Sequence, residues 1–303
     1  MNLPSNYRKG RPLETLVENK TTYTLEIAEM NIFETHQVAE RVWLNFDQPV
    51  LASMIKGKKV MHLDEKDPFP FLPGESLMLP REEWMNIDFP EANLTNPTQC
   101  LAMTISEEKM QEVLSIMNEQ NPKVDYGEWK FYNGSFHFSD DQVVYKILHR
   151  LIYLCVEDHP SKDIFADMTI KELLIRLLQA ESRNFLVEHA GQLKTHHRIG
   201  FIIDYIKKNI QEKLTIPQLS QKACMSESHF FRVFKNELGL SPIDFINEER
   251  LKLAARLLKD PRVKVGEVCM ACGFNSISYF NRAFKKRYGH SPKAFQKQAG
   301  NMA

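Results

Sequence analysis

"SESHFFRVFKNELGLSP" (226–242) and "SISYFNRAFKKRYGHSP" (276–292) lie fifty residues apart and agree at nine of seventeen positions. The shared residues are two serines, Phe, Arg, Phe, Lys, Gly, Ser and Pro. The likeness continues upstream: Ile216, Leu219, Ala223 and Met225 answer to Val265, Val268, Cys272 and Phe274 at an offset of 49. The second copy therefore carries one extra residue, Asn275, in its turn. Thr215 followed by Gln218 reads as a capping box, so a short helix starts there. Ser226 and Ser276 read as N-caps of a second helix. Helix, tight turn and second helix form a helix-turn-helix, made twice.

Helical periodicity sorts the faces of the second helix. Phe230, Val233 and Phe234 share one side, as do Phe280, Ala283 and Phe284, and both sets are expected in the core. Outward lie Ser228, Phe231, Arg232 and Lys235 in the first copy, and Ser278, Asn281, Arg282 and Lys285 in the second. Arg is the commonest base-specific contact in the major groove, and the lysines one turn farther on suit phosphate. Between the copies, "SPIDFINEERLKLAARLLKD" offers a long amphipathic helix through Ile243, Ile246, Leu251, Ala254, Leu257 and Leu258. It would hold the two units so that they address successive major grooves, about 34 Å apart.

The charge agrees. The net charge is zero over 303 residues, but residues 1–194 hold 20 Lys+Arg against 30 Asp+Glu, and residues 195–303 hold 19 against 9. A basic half points to a nucleic-acid or membrane partner, or more plainly to two oppositely charged domains that dock on each other. No stretch is apolar enough to span a membrane, and "MNLPSNYRKGRPLE" has no apolar core of a secretory signal. Five scattered cysteines suit reduced thiols, so a cytoplasmic protein is expected.

Ahead of the repeat the texture changes twice. "PLETLVEN" at 12–19 is a short helix candidate with Pro12 at its first position. From about Thr22 to Asp125, short β-rich runs are punctuated by Gly and Pro, which favours a barrel or sandwich. "KGKK" at 56–59 reads as a hairpin turn, and "PFLPGESLMLP" at 70–80 as a turn feeding a strand. Past Asp140, Val143, Val144, Ile147, Leu148, Leu151 and Ile152 follow helical spacing, and Ile170, Leu173, Leu174, Leu177 and Leu178 repeat it. These stripes are core against the β region or a dimer seam. "LVEHAGQLKTHH" at 186–197 is polar and reads as a linker, with His196 and His197 solvated.

Residues from about 199 to 298 resemble the double helix-turn-helix domain of AraC/XylS-type transcription regulators. "LTIPQLSQKACMSESHFFRVFKNELGLSP", "RLKLAARLLK" and "VGEVCMACGFNSISYFNRAFKKRYGHSPKAF" carry the likeness. "MIKGKKVMHLD", "FLPGESLMLP" and "ELLIRLLQAE" resemble, more weakly, the cupin-like sensor domain found ahead of it. The resemblance implies two domains: a cupin-like β-barrel with following α-helices over 1–185, a linker at 186–197, and an all-α double helix-turn-helix domain over 198–303. It implies a non-enzymatic, sequence-specific regulator of transcription, with double-stranded DNA, RNA polymerase and a small-molecule effector as partners. A homodimer through the helices at 143–155 and 168–181 is also implied. The first copy departs from the pattern at Phe231, where relatives often carry a polar residue. It also carries an acid, Glu227, near the helix N-terminus, which favours cytosine N4 or repels phosphate.

Other motifs are weighed against plainer readings. Cys269-Met270-Ala271-Cys272 lacks a partner pair, so both cysteines are expected in the core, and Cys224 likewise. Metal cupins need clustered histidines, whereas the β region has only His36 and His62, far apart, so neither a metal nor another cofactor is expected. Trp43, Met54, His62 and Trp84 are candidate effector contacts, since pockets are apolar with a few placed polar groups. The plainer reading makes His62 a hydrogen-bonded structural residue and the other three filling of the barrel. A cupin-type enzyme fused to a DNA-binding module, or an N-terminal domain that only dimerises, are the alternatives.

Overall fold

The computed structural model describes residues 3–4, 7, 10–63, 67–125, 127–131, 136–139, 142–157, 159–193 and 197–300. The chain divides into two units, Met1–Gln120 with Trp129–Leu178, and Asn121–Glu128 with Gln179–Ala303. The first unit holds strands β1 (Asn19–Thr24), β2 (Ala28–Thr35), β3 (Ala39–Leu44), β4 (Val50–Lys56) and β5 (Lys59–His62). They are followed by β6 (Phe69–Phe71), β7 (Glu75–Leu79), β8 (Met85–Phe89), β9 (Thr98–Ile105) and β10 (Phe136–Ser139). Helix α1 (Glu107–Gln120) lies between β9 and β10, and α2 (Gln142–Val156) and α3 (Lys162–Leu193) come after.

The strands form two antiparallel sheets, ordered β1-β2-β9-β4-β7-β10 and β3-β8-β5-β6. The centre of the larger sheet is buried on both faces, which is why β4 reads "VLASMIK" with little polar alternation. Val50, Ala52 and Met54 point between the sheets with Met61, Phe71, Ile87 and Phe89. Leu51 and Ile55 point the other way, with Leu101, Met103 and Ile105, onto Val113, Leu148, Leu151, Ile170 and Leu174 of the helices. The apolar stripes of α2 and α3 are therefore core, except for Val143, which is exposed. The smaller sheet covers one face only, and its outer face carries the exposed Trp43 and Trp84.

Two local readings are overturned. Residues 12–19 form no helix: the chain runs through bends straight into β1. "KGKK" is not a hairpin, because β4 and β5 belong to different sheets. Gly57 makes the corner at φ +81°, where a Cβ would lie 2.7 Å from Thr98 Oγ1, so a side chain is excluded twice over. "PFLPGESLMLP" is the return corner, from β6 in the small sheet to β7 in the large one, with Gly74 at φ +94°.

The second unit holds α4 (Arg198–Lys208), α5 (Ile216–Lys222), α6 (Glu227–Leu238), α7 (Pro242–Leu257), α8 (Val265–Ala271), α9 (Ile277–Tyr288) and α10 (Pro292–Gly300). It has two separate cores. Phe230, Val233, Phe234, Leu219 and Ala223 pack with Ile199, Ile203 and Leu186 in one. Phe280, Phe284, Val268, Cys269, Cys272 and Phe274 form the other. Helix α7 serves both, giving Phe245 and Ile246 to the first and Leu251 and Ala254 to the second. Ile243 and Leu257, read as part of its apolar stripe, are exposed.

The linker read at 186–197 is helical through Leu193, and the change of unit falls earlier, at Leu178/Gln179 within α3. Polar composition suggested a loop, but Leu186 and Ala190 pack into the first core and keep the helix going. His197 is not solvated: its side chain is 12% exposed, and its Nδ1 accepts from Gly200 N–H at 3.1 Å as the N-cap of α4. His196 lies outside the described residues.

Candidate nucleic-acid interface

The repeated sequence builds the same local device twice. Ser226 Oγ accepts from His229 N–H, and Ser276 Oγ from Tyr279 N–H, each at 3.3 Å, which caps α6 and α9. Both helices stop at a left-handed glycine, Gly239 at φ +74° and Gly289 at φ +75°. Ser241 and Ser291 then cap the next helices, with Pro242 and Pro292 at their first positions. "GLSP" and "GHSP" are thus one stop-and-start signal. Thr215 does not form the expected capping box, since its side chain makes no cap hydrogen bond. The comparable reach-back occurs in the second copy, where Lys264 N–H donates to Glu267 Oε2 at 3.4 Å.

The turns show why the copies differ in sequence. Met225 N–H bonds Ser220 O and Phe274 N–H bonds Cys269 O, the same closure in both. It requires a positive φ one residue earlier. The second copy supplies Gly273 at φ +80°, while the first supplies Cys224 at φ +54°. Cys224 therefore aligns with a glycine and is exposed, contrary to its expected burial. Cys269 and Cys272 are buried in α8 and its turn. Burial, helped by Cys269, pushes the Cys272 thiol up to about 11, the protonated form of a packed side chain.

The aromatic side of each helix is buried: Phe230, Phe234, Phe280 and Phe284 are all 0% exposed. Glu227, Ser228, Phe231, Arg232 and Lys235 are exposed on α6, and Ser278, Asn281, Arg282 and Lys285 on α9. The two outward rows are thus presented at matching positions. Their surroundings differ. The Arg232 guanidinium donates to His229 Nδ1 at 3.1 Å, one turn back on the same face. The equivalent of His229 is Tyr279, whose hydroxyl accepts from Asn247 Nδ2 of α7 at 3.1 Å.

Two further features are invisible in the repeat. Arg250 of α7 donates from Nε to Ile210 O at 3.0 Å and from Nη2 to Glu212 O at 2.7 Å, and lies over the Phe274 ring. It joins the first half of the unit to the turn of the second, and burial pushes its pKa down. Glu237, near the end of α6, is 0% exposed, and burial raises its pKa to about 7 despite the bond from Val124 N–H to Oε1 at 3.2 Å. His197 Nε2 is 3.6 Å from Glu237 Oε2, and burial holds the imidazole below its ordinary value. Both shifts favour neutral forms, so this contact is no ion pair near neutrality. The only sequence signal for this cluster is an acid in an otherwise basic helix end.

In the first unit, three of the four effector candidates come together. Trp43 and Asn86, and Asn86 and His62, are cross-strand partners on the outer face of the small sheet. Trp84 meets Trp43 edge to face at 6.1 Å. His62 Nε2 lies 2.8 Å from Asp88 Oδ2. The Arg41 N–H bonded to Asp88 holds that carboxylate below the usual range. Met54 is elsewhere, 1% exposed in the core between the sheets. Among the described residues, no group of three or more His, Cys, Asp or Glu is placed to hold a metal ion.

A family model described as a helix-turn-helix domain matches residues 219–298. A second, described as the AraC-type transcriptional regulator N-terminus, matches residues 26–185, more than half of the chain. The chain belongs to the AraC-type transcriptional regulators. It is similar to a probable transcriptional regulator LumQ of Photobacterium leiognathi, 28% identical over 163 residues, covering 54% of this chain and 63% of that protein. It is also similar to the HTH-type transcriptional regulator MtrA of Neisseria gonorrhoeae, 35% identical over 131 residues, covering 42% of this chain and 44% of that one. The matched segments thus span only about half the length of these relatives.

Among solved structures, ToxT of Vibrio cholerae aligns over 90% of this AraC-type chain and 98% of its own, at 13% identity and a TM-score of 0.38. The DNA-binding domain of AdpA, in complex with a target DNA, covers 34% of this chain and 94% of its own, at 26% identity and a TM-score of 0.33. No helix among the described residues is long and apolar enough to cross a membrane.

Proposed function

We propose that this chain is a sequence-specific regulator of transcription that reads double-stranded DNA with α6 and α9, each in a major groove. The observation that carries this reading is the pair of identically capped helices, each presenting an exposed Ser–Arg–Lys row over a buried Phe pair. Arg232 and Arg282 reach bases, Lys235 and Lys285 reach phosphates, and Phe231 and Asn281 make the two base preferences differ. Glu227 disfavours phosphate beside the first helix and suits a cytosine N4. The first unit would sense a small molecule, with Trp43, His62 and Trp84 on the outer face of the small sheet as its candidate contacts. Met54 would then serve packing alone. A ligand acts there only by binding two states of the chain unequally.

Ile164, Phe165 and Met168, exposed on the opening turns of α3, favour homodimer formation through that helix. RNA polymerase, implied by the family, is the further partner. Selection of bound DNA from a random pool tests the reading directly. A two-box motif with a steep salt dependence is expected, because phosphate contacts release counterions. Absence of any enriched motif would overturn it. A thermal-shift screen with small metabolites separates a sensor from a domain that only dimerises, since a ligand of the native state raises its stability.

A further inference from the structure

Residues 121–125 lie between α1 and β10, in the part of the chain expected to be N-terminal domain, yet they belong to the second unit. They hold the far end of one recognition helix. Asn236 Nδ2 of α6 donates to Asn121 O at 3.2 Å. Val124 N–H donates to the buried Glu237 Oε1 at 3.2 Å, and the Val124 side chain packs on the first core. Asp125 accepts from Arg198 N–H at 2.7 Å and from Arg198 Nε at 2.6 Å, fixing the segment to the start of α4. His197 fills the space between the two acids, 3.5 Å from Asp125 and 3.6 Å from Glu237.

The same helix end is gripped from a second side. Gln179 Nε2 donates to Asn236 O at 2.9 Å and Arg183 Nη1 to Leu238 O at 3.3 Å, both from α3. Neither the 121–125 segment nor α3 is part of the repeat. At the matching end of α9, position 287 is Arg instead of Glu. There Phe284 meets Phe295 of α10 edge to face and Tyr288 packs tilted against it, and the Tyr288 hydroxyl donates to Leu251 O of α7. The described grip on α9 comes from its own half of the unit.

We propose that Asn121–Asp125 is a positioning strap for α6, and that through it the first reading head is placed under control of the first unit. The chain itself supplies the route: it leaves the first unit at the strap, returns to it at Trp129, and leaves again within α3. Both exits end on α6. The second clause of the proposal rests on the sensor reading above; the first does not.

The test uses the full chain and its selected two-box DNA. The box read by each helix is first assigned by its insensitivity to Arg232→Ala or Arg282→Ala once scrambled. Asp125→Ala should weaken binding to the intact site by about tenfold, the size of one lost charge-assisted hydrogen bond. The loss should vanish when the α6 box is scrambled and persist when the α9 box is scrambled. Asn236→Ala, which cuts only the exposed bond to Asn121, should show the same selectivity at smaller size, even if Asp125→Ala fails to fold. Asp125→Asn, which keeps an acceptor for Arg198 N–H, should restore most of the affinity. Equal losses on both scrambled sites, or none, would overturn the strap as a positioning element while leaving DNA binding intact. Failure of the unaltered chain to bind any selected DNA would overturn both readings together.

Discussion

The two helix-turn-helix copies share a scaffold and differ in what surrounds it. Their Ser caps, Gly stops, buried Phe pairs and turn closures coincide, because each must fold the same short helices against the same kind of core. Their differences cluster at the ends. The N-terminal end, proposed above to read bases, carries Glu227 and Phe231 in one and Ile277 and Asn281 in the other. The far end carries a buried acid in one and a basic run, Lys285–Lys286–Arg287, in the other. Similar folding demands preserve the middle of the motif, while the ends answer to different neighbours: the rest of the chain at the far end and, on the reading proposed above, DNA at the other.

Core truncation would probe the comparison most strongly. Phe280→Ala should cost about 3–5 kcal/mol through lost burial and a cavity. Because the two cores are separate, amide exchange should rise in α8–α10 while α4–α6 stay protected. Uniform loss of protection would show that the halves fold as one.

Glu237 offers the next largest effect. Its folded pKa, near 7, lies above the unfolded value of about 4.5, so the folded state holds a proton that the unfolded state gives up. Stability should therefore fall as pH rises from about 4.5 to 7 and level off above, by roughly 3 kcal/mol for that shift. Glu237→Gln should remove the fall, its advantage over the parent growing from pH 5 to pH 8 in paired urea titrations. The group has Asp125, Lys123, Arg198 and His197 around it, and the second copy, with Arg at this position, has no equivalent effect to show. A constant difference between variant and parent across pH would place the titration elsewhere.

Base contacts come next. Arg232→Ala and Arg282→Ala should each cost about 1–3 kcal/mol on the cognate site and relax preference at one base position. Phe231→Asn should shift the preference of the first box alone. If it alters the second box, the assignment of helices to boxes is reversed. The smallest effect is at the turn. Cys224→Gly should stabilise the first copy by about 1 kcal/mol, by relieving a positive φ on a side-chain-bearing residue. A thermal melt reads it.

Much of the second unit was legible in sequence because its signals are local. Caps, stops and the Phe spacing act within a few residues, and the repeat checks each of them against a second example. Cys224 was misread because φ leaves no mark on composition; alignment with Gly273 was the available clue. "KGKK" was misread because a turn signal says that the chain bends, not which strand it meets next. The plainer reading of Trp43 and Trp84 as barrel filling fails, since both are exposed: alternation alone does not tell an inner face of a sheet from an outer one.

Sequence by itself determined the double helix-turn-helix, its outward arginines and the basic balance of that half, since each follows from short-range periodicity and charge. Tertiary structure alone decided that residues 121–125 and the second half of α3 join the DNA-binding unit. The sequence placed 121–125 at the end of the β-rich region and 186–197 in a linker, and only packing against Glu237, Arg198 and the first core shows otherwise. Long-range hydrogen bonds between segments 73 and 113 residues apart have no periodicity to announce them. They exist because a buried carboxylate and an open helix end must find partners wherever the chain provides them.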